Sequence, residues 1–110
     1  MTTFRIAVTS KDGRLVDTHF GHAEEIRFYD VDENGVRYLG SKPVEKYCDR
    51  DAACGTGGKD AISALAGCAA LVTRMIGAAP ERALSEMGLS CFVDFEGVED
   101  ALRKAYGRLR

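Results

Sequence analysis

The sequence predicts one α/β domain whose sheet is antiparallel in the first half of the chain and parallel in the second. Short apolar runs separated by turn residues fill residues 1–44, whereas helical and extended periods alternate from there to the end. A length of 110 residues is that of one domain with an apolar core of ordinary size. We therefore expect a single domain over residues 1–110.

The first half predicts a meander of short strands. A turn is expected at residues 11–13, and residues 32–35 have the composition of a hairpin loop in which Gly35 is free to adopt a positive φ. The loops separate runs that can pair as consecutive antiparallel neighbours. The predicted strands are residues 4–8, 14–16, 26–31 and 36–39.

The second half alternates helices with strands. Pro80 suits the first turn of one helix and Gly88 suits its C-terminal end. Strands joined through helices pair in parallel, so this half is expected to add β/α units to the meander. Together the two halves have the ribonuclease-H-like layout. Helical periods occur at residues 61–66, 80–88 and 98–109, and strands are predicted at 70–73 and 89–95.

Composition and charge argue against two classes of partner. Hydrophobic residues make up 45% of the chain and charged residues 29%, and the formal net charge of −2 provides no basic field for nucleic acid. The longest apolar stretch, residues 68–72, is too short to span a bilayer, and the N-terminus lacks the apolar run of a signal peptide. We expect a cytoplasmic protein that binds neither nucleic acid nor membranes.

Both histidines lie within residues 17–23, on either side of Phe20 and Gly21. Imidazole is the commonest neutral metal ligand, and glycine permits a sharp turn or the close approach of a ligand to the backbone. If the segment forms a helical turn, the three-residue separation places His19 and His22 on one face. The pattern indicates a metal or metal-cluster site. The alternative is that one histidine caps a turn and the other is a surface residue.

The four cysteines differ in their surroundings. Cys68 and Cys91 lie beside apolar helix and strand segments, and free cysteine is among the most buried residue types, so we assign both to the core. Cys48 and Cys54 lie in a polar, glycine-rich stretch. In a reducing compartment, such cysteines are candidate ligands rather than disulfide partners.

Residues 45–60 form the longest stretch without helix or strand periodicity, and loops of this length are often functional. Its glycines lead into a helix predicted to begin near Gly58. A helix N-terminus and nearby Lys and Arg favour anions and increase the thiolate fraction of a cysteine. Cys48 and Cys54 are therefore candidate ligands for a thiophilic, anionic cluster. The alternatives are two incidental thiols, or a disulfide across the five intervening residues.

Thr18–Glu24, followed by Phe28–Val31, resembles the signature of the dinitrogenase iron–molybdenum cofactor biosynthesis family, which includes NifX, the core domain of NafY and the C-terminal domain of NifB. The dipeptides Tyr47–Cys48 and Cys54–Gly55 resemble the NifB-type branch more than NifX. The resemblance implies a ribonuclease-H-like α/β domain that binds or carries iron–sulfur cofactor precursors. It covers nearly the whole chain, continuing through Tyr47–Cys48, Cys54–Gly55, Ile76–Gly77 and Pro80.

Given this resemblance, the leading hypothesis is a non-catalytic carrier of an iron–sulfur or iron–molybdenum-type cluster or its precursor. Its partners would be the cluster cargo and the cofactor-assembly or acceptor proteins. One alternative is a mononuclear zinc site with two histidine and two cysteine ligands. Another is a metal-free interaction module of the same fold. The predicted metal ligands are the histidines and the loop cysteines, and the full predicted cofactor-binding set is His19, Phe20, Gly21, His22, Cys48 and Cys54.

Overall fold

The first strand of the chain lies at the centre of the sheet. The computed structural model describes residues 3–44 and 62–109, and in this part five strands form one mixed sheet in the order β3-β2-β1-β4-β5. The strands are β1 (Phe4–Val8), β2 (Glu25–Asp32), β3 (Gly35–Pro43), β4 (Ala70–Thr73) and β5 (Ser90–Val93). The helices are α1 (Ala78–Glu86) and α2 (Val98–Leu109), together with a 3-10 turn at Phe20–His22 and a helical end at residues 62–64.

The sheet changes from antiparallel to parallel pairing at β1. On one side β1 pairs antiparallel with β2, which pairs antiparallel with β3. On the other side β1 pairs parallel with β4, and β4 pairs parallel with β5. The predicted α/β class, with an antiparallel meander followed by β/α units, is confirmed.

Alternating side chains of the sheet supply two apolar cores. Ile6 and Val8 of β1 face the core beneath α2, whereas Ala7 between them faces the opposite core. Alternation of this kind is the two-residue period of a strand that is buried on both faces. The helix α2 covers the first core with the apolar stripe that its sequence predicts; its buried residues are Val98, Ala101, Leu102, Ala105 and Tyr106.

The second core lies under α1 and the helical end at residues 62–64. Leu71 of β4 and Leu84 of α1 are fully buried there, and Phe20 joins them from the segment that follows β1. Burial of each large apolar side chain contributes about 1.5–3 kcal/mol. The segment that carries the histidines is therefore anchored in the core through its aromatic residue.

One predicted strand is wrong. Residues 14–16 do not return along β1. Instead, Leu15 forms an isolated antiparallel bridge with Gly97, flanked by hydrogen bonds from Val16 N–H to Glu96 O (3.0 Å) and from Val98 N–H to Arg14 O (2.9 Å). The antiparallel partner of β1 is β2, and residues 9–24 connect the two strands.

The predicted hairpin and its glycine are confirmed. The Asp32 carboxylate accepts hydrogen bonds from the N–H groups of Asn34 (2.8 Å) and Gly35 (3.2 Å). Gly35 adopts a φ of 146°, a backbone conformation that L side chains rarely take. The side-chain acceptor and the glycine together close the tight turn between β2 and β3.

Gly88 ends α1 in the conformation that its sequence position predicts. Its φ is 83°, its N–H donates to Ser85 O (2.9 Å), and the N–H of Leu89 donates to Leu84 O (3.0 Å). These two bonds form a Schellman motif, and the buried side chains of Leu84 and Leu89 belong to the same apolar core. The cap sets the direction in which the chain enters β5.

We predict opposite effects for two glycine-to-alanine substitutions. Gly88→Ala should lower the free energy of unfolding by about 1–2 kcal/mol, because L residues are strained at positive φ. Gly107→Ala, within α2, should raise it by about 0.5–1 kcal/mol. An added Cβ meets no atom within 4 Å at either position, so the backbone alone separates the two cases. Urea unfolding measures both, and changes of the same sign would contradict the assigned conformations.

Candidate functional site

The chain leaves the two central parallel strands in opposite directions. β1 continues to β2 on one side, whereas β4 continues through α1 to β5 on the other side. The carboxyl ends of β1 and β4 therefore meet at a topological switch point, where open α/β sheets form a ligand crevice. Among the described residues, those that follow β1 and β4 lie at this edge.

The histidine-containing segment is bonded to the end of β4. The N–H of Phe20 donates to Met75 O (2.8 Å), and the N–H of Arg74 donates to Thr18 O (3.2 Å). The Asp17 carboxylate accepts from the Thr18 hydroxyl (2.9 Å) and from the N–H of Lys11 (3.2 Å). These bonds fix residues 17–20 across the switch point.

Two buried threonine hydroxyls join the same segment to the strand ends. The hydroxyl oxygens of Thr9 and Thr73 are 2.8 Å apart, and Thr9 Oγ1 is 2.7 Å from Thr18 O. A hydroxyl has one proton, and Thr9 Oγ1 lies closer to Thr18 O than Thr73 Oγ1 does (3.2 Å), so we assign the Thr9 proton to Thr18 O and the Thr73 proton to Thr9. Thr9 and Thr73 are fully buried. The network therefore lies in a region of low dielectric, where such bonds are strong.

The predicted turn around Phe20 and Gly21 is a single 3-10 turn. Phe20 is 1% exposed, and the N–H of Ala23 donates to Phe20 O (3.3 Å). Gly21 is the middle residue of the turn and is half-buried. Residues with side chains also adopt 3-10 geometry, so the turn itself does not require glycine. Gly21 instead leaves this stretch of backbone without a covering side chain.

His19 lies immediately before this turn, with extended backbone (φ −68°, ψ 142°) and a half-buried side chain. It is thus not on the helical turn on which a shared face with His22 was predicted. The backbone of His22 ends the 3-10 turn, but its side chain lies outside the described residues. Cys48 and Cys54 also lie outside them. Of the four predicted ligand side chains, the structure places that of His19 at the sheet edge.

An open cavity of about 380 Å³ lies beside the segment. It is bordered by the loop after β1 and by the start of β2, and the N–H of Val44, just after β3, donates to Glu24 O (2.9 Å). The chain thus enters residues 45–61 from the rim of this cavity. Its lining residues are Ser10, Lys11, Thr18, Glu24, Glu25 and Pro43.

Arg27 holds the rim of the cavity in place. Its guanidinium donates to Ser10 O (3.2 Å) and Lys11 O (3.0 Å), and it forms an ion pair with Glu25 (3.0 Å). Its side chain is 17% exposed, whereas that of Glu25 is 39% exposed, so the ion pair is partly open to water. The ion pair offsets one of the two carboxylates that line the cavity, and Lys11 adds a positive charge.

Cys68 and Cys91 pack against the core beneath α1, as predicted, but each is half-buried. Burial raises the pKa of the Cys68 thiol. Burial, together with the Glu81 carboxylate, raises the pKa of the Cys91 thiol to about 11. Both thiols are therefore kept protonated at neutral pH and are poor ligands in this state.

The described residues do not complete a metal site. Across residues 3–44 and 62–109, no three His, Cys, Asp or Glu side chains are grouped so as to hold a metal ion. The same residues contain no helix that is long and apolar enough to cross a membrane.

The sequence interpretation missed the threonines and the cavity. Thr9 directly follows the apolar run of β1, and Thr73 ends that of β4. The carboxyl ends of adjacent parallel strands meet at one edge of a sheet, so a polar residue after each apolar run could have indicated that Thr9 and Thr73 are close together. That prediction also requires β1 and β4 to be adjacent, which their sequences do not indicate.

A family model described as dinitrogenase iron–molybdenum cofactor matches residues 2–108. The FeMo cofactor biosynthesis protein NifB of Azotobacter vinelandii is 33% identical over 106 residues, which are 92% of this chain and 21% of that protein. NifB of Frankia alni is 29% identical over 107 residues, which are 94% of this chain and 21% of that protein. The chain thus spans about a fifth of the length of these relatives.

Two solved structures of comparable length have a similar fold. The apo form of the orange protein of Desulfovibrio gigas superposes with a TM-score of 0.61 at 27% identity, covering 96% of this chain and 88% of that one. The crystal structure of PH0822 superposes with a TM-score of 0.70 at 19% identity, covering 94% and 91% of the two chains, and supports the fold alone.

We predict slow alkylation of the half-buried thiols. At pH 8, raising a thiol pKa from 9.0 to about 11 lowers the thiolate fraction of Cys91 about a hundredfold. Iodoacetamide should therefore label Cys91 slowly in the native reduced protein, and faster as the pH rises toward 11. Cys48 and Cys54 are predicted to react first. Urea-unfolded protein is the control, and equal native rates for all four thiols, measured by mass spectrometry, would contradict this division.

Proposed function

The chain belongs to the dinitrogenase iron–molybdenum cofactor family, and from this membership we propose that it is a non-catalytic carrier in metallocofactor biosynthesis. Its cargo would be an iron–sulfur or iron–molybdenum-type cluster, or a precursor of one. One structural observation carries the proposal: His19 is held at the switch-point edge of the sheet, beside an open cavity, by bonds on both of its flanking peptide groups.

We propose ligands from two segments: the histidine segment held at this edge, and residues 45–60, which follow β3 in the sequence. His19 or His22 would supply an exchangeable nitrogen ligand, and the thiolates would come from Cys48 and Cys54. Val44 lies at the cavity rim, and Cys48 follows it by four residues in the sequence. Imidazole and thiolate are both suitable ligands for iron in such clusters.

The described side chains suit a cargo that must be released. His19 is half-buried rather than enclosed, and the cavity beside it is open. Phe20 anchors the segment in the core, and Gly21 leaves the backbone after it uncovered. A few exchangeable ligands on a preorganised edge are what transfer to an acceptor protein requires.

We further assign the domain to the ribonuclease-H-like folds. The strand order β3-β2-β1-β4-β5, in which β2 runs antiparallel to the other described strands, supports this assignment. Such a fold does not by itself imply nuclease activity, because unrelated functions share folds. The relatives named for FeMo cofactor biosynthesis support cofactor-assembly and acceptor proteins as the partners.

We predict that the reconstituted protein retains iron and acid-labile sulfide in about equal amounts, and that the histidine variants retain less. His19→Asn and His22→Asn keep polarity and turn tolerance, so folding should change little. Loss of a nitrogen ligand should weaken retention about tenfold or more, by comparison with changes around other metal sites. Oxygen-free reconstitution followed by desalting, metal analysis and visible absorption measures the effect.

Matched controls separate ligand loss from general damage. Glu33→Gln changes an exposed residue in the hairpin at the opposite end of β2 and should retain cluster as the parent does. Cys91→Ser is the thiol control for Cys48→Ser and Cys54→Ser. One equivalent of zinc without sulfide would replace the carrier with a mononuclear zinc site. No retained metal in the parent would favour the interaction module.

A further inference from the structure

Thr9 and Thr73 occupy positions where the sheet otherwise carries apolar side chains. The residues just before them, Val8 and Val72, form a buried parallel pair, and the two threonines follow at the carboxyl edge, where their hydroxyls contact each other. Valine has nearly the shape of threonine and would fill the same space. A buried hydroxyl is costly unless it is bonded, and both of these are bonded. Their hydroxyls therefore have a task that packing does not explain.

That task is to hold the Thr18 carbonyl. Thr18 O lies 2.7 Å from Thr9 Oγ1 and 3.2 Å from Thr73 Oγ1, and it accepts from the N–H of Arg74 at 3.2 Å. Thr73 Oγ1 also lies 3.3 Å from Met75 O. A carbonyl oxygen has two lone pairs, so the bonds from Thr9 and Arg74 satisfy it.

Fixing this carbonyl fixes the peptide group that leads into His19. The Thr18–His19 peptide is planar, so the direction of Thr18 C=O sets the direction of the His19 N–Cα bond. The next peptide group is fixed as well, because the N–H of Phe20 donates to Met75 O at 2.8 Å. The Cα of His19 thus lies between two pinned peptide planes, and the hydroxyl pair controls the first of them.

We infer that Thr9 and Thr73 are positioning residues for His19, and that their hydroxyls set how firmly the edge holds a metal cluster. The second of these two claims, that the hydroxyls set how firmly a cluster is held, rests on the proposed carrier function. Neither threonine touches the cargo in this scheme. Replacing residues that orient a metal ligand typically lowers metal affinity about 10–100-fold.

Two substitutions at each threonine distinguish positioning from packing. Thr→Val keeps the shape and removes the hydroxyl, whereas Thr→Ser keeps the hydroxyl and removes a methyl group. A positioning role predicts that Thr9→Ser and Thr73→Ser resemble the parent, while Thr9→Val and Thr73→Val do not. A role in packing alone predicts the reverse order, because serine leaves a cavity and valine does not. Val31→Ala, in the same core sheet but at the far end of β2, controls for general destabilisation.

The first measurement uses the metal-free protein. Amide hydrogen exchange should become about tenfold faster at Phe20 and Arg74 in the valine variants, because the bonds of these N–H groups depend on the held segment. Exchange at Leu102 in α2 should stay as in the parent. Equal acceleration at all three amides, or none at Phe20 and Arg74, would overturn the positioning role.

The second measurement uses protein loaded with an iron–sulfide cluster without oxygen. Transfer of iron to an excess chelator should be about tenfold faster from the valine variants than from the parent, the serine variants or Val31→Ala. Release from the valine variants at the parent rate would overturn the link to cargo. If the parent binds no cluster, the proposed function fails, while the exchange measurement still confirms or overturns the positioning of His19.

Discussion

The parallel pairing of β1 with β4 is the contact on which the rest of the described structure depends. It joins an antiparallel meander to a parallel β/α unit, and it brings together two strand ends from which the chain departs in opposite directions. A crevice at that edge follows from the connectivity itself. Residues 17–22 lie across it, and the backbones of Thr18 and Phe20 are bonded to Arg74 and Met75, which directly follow β4. The position of the histidines is thus a consequence of sheet topology.

The edge is stiff where the histidine segment crosses it and open beside it. Phe20 is buried in the core beneath α1, and the threonine hydroxyls are bonded to each other and to the Thr18 carbonyl. By contrast, the cavity that begins at Ser10 and Thr18 is bordered by exposed charged side chains. The Arg27 guanidinium donates to two carbonyl oxygens of the loop after β1 and so holds the rim of this cavity in place. A rigid ligand segment next to an accessible space suits binding that is specific in geometry but reversible.

Most helices, strands and turns could be predicted from local sequence patterns, because each depends mainly on residues that are close together in the chain. The period of α2, the hairpin at Gly35 and the end of α1 at Gly88 are all of this kind. Residues 14–16 were assigned wrongly because their partner is Gly97, far along the chain, and a three-residue run does not identify its partner. The threonine pair was missed for the same reason: 64 residues separate Thr9 from Thr73. The side chains of His22, Cys48 and Cys54 lie outside the described residues, and the whole predicted ligand set, His19 included, stays a prediction.

The two described cysteines are kept protonated by their surroundings. Cys68 and Cys91 are partly covered by the core, and burial, with a nearby carboxylate at Cys91, raises the pKa of each. A protonated thiol neither binds iron well nor exchanges readily with a disulfide. Thiophilic cargo is therefore disfavoured at these two positions. Under the carrier proposal, the protein directs cargo by suppressing thiolates on the covered face of the sheet while the carboxyl edge of β1 and β4 presents a fixed imidazole. Selectivity for the site of cargo binding would then come from the raised thiol pKa values at Cys68 and Cys91 and from the fixed backbone at His19.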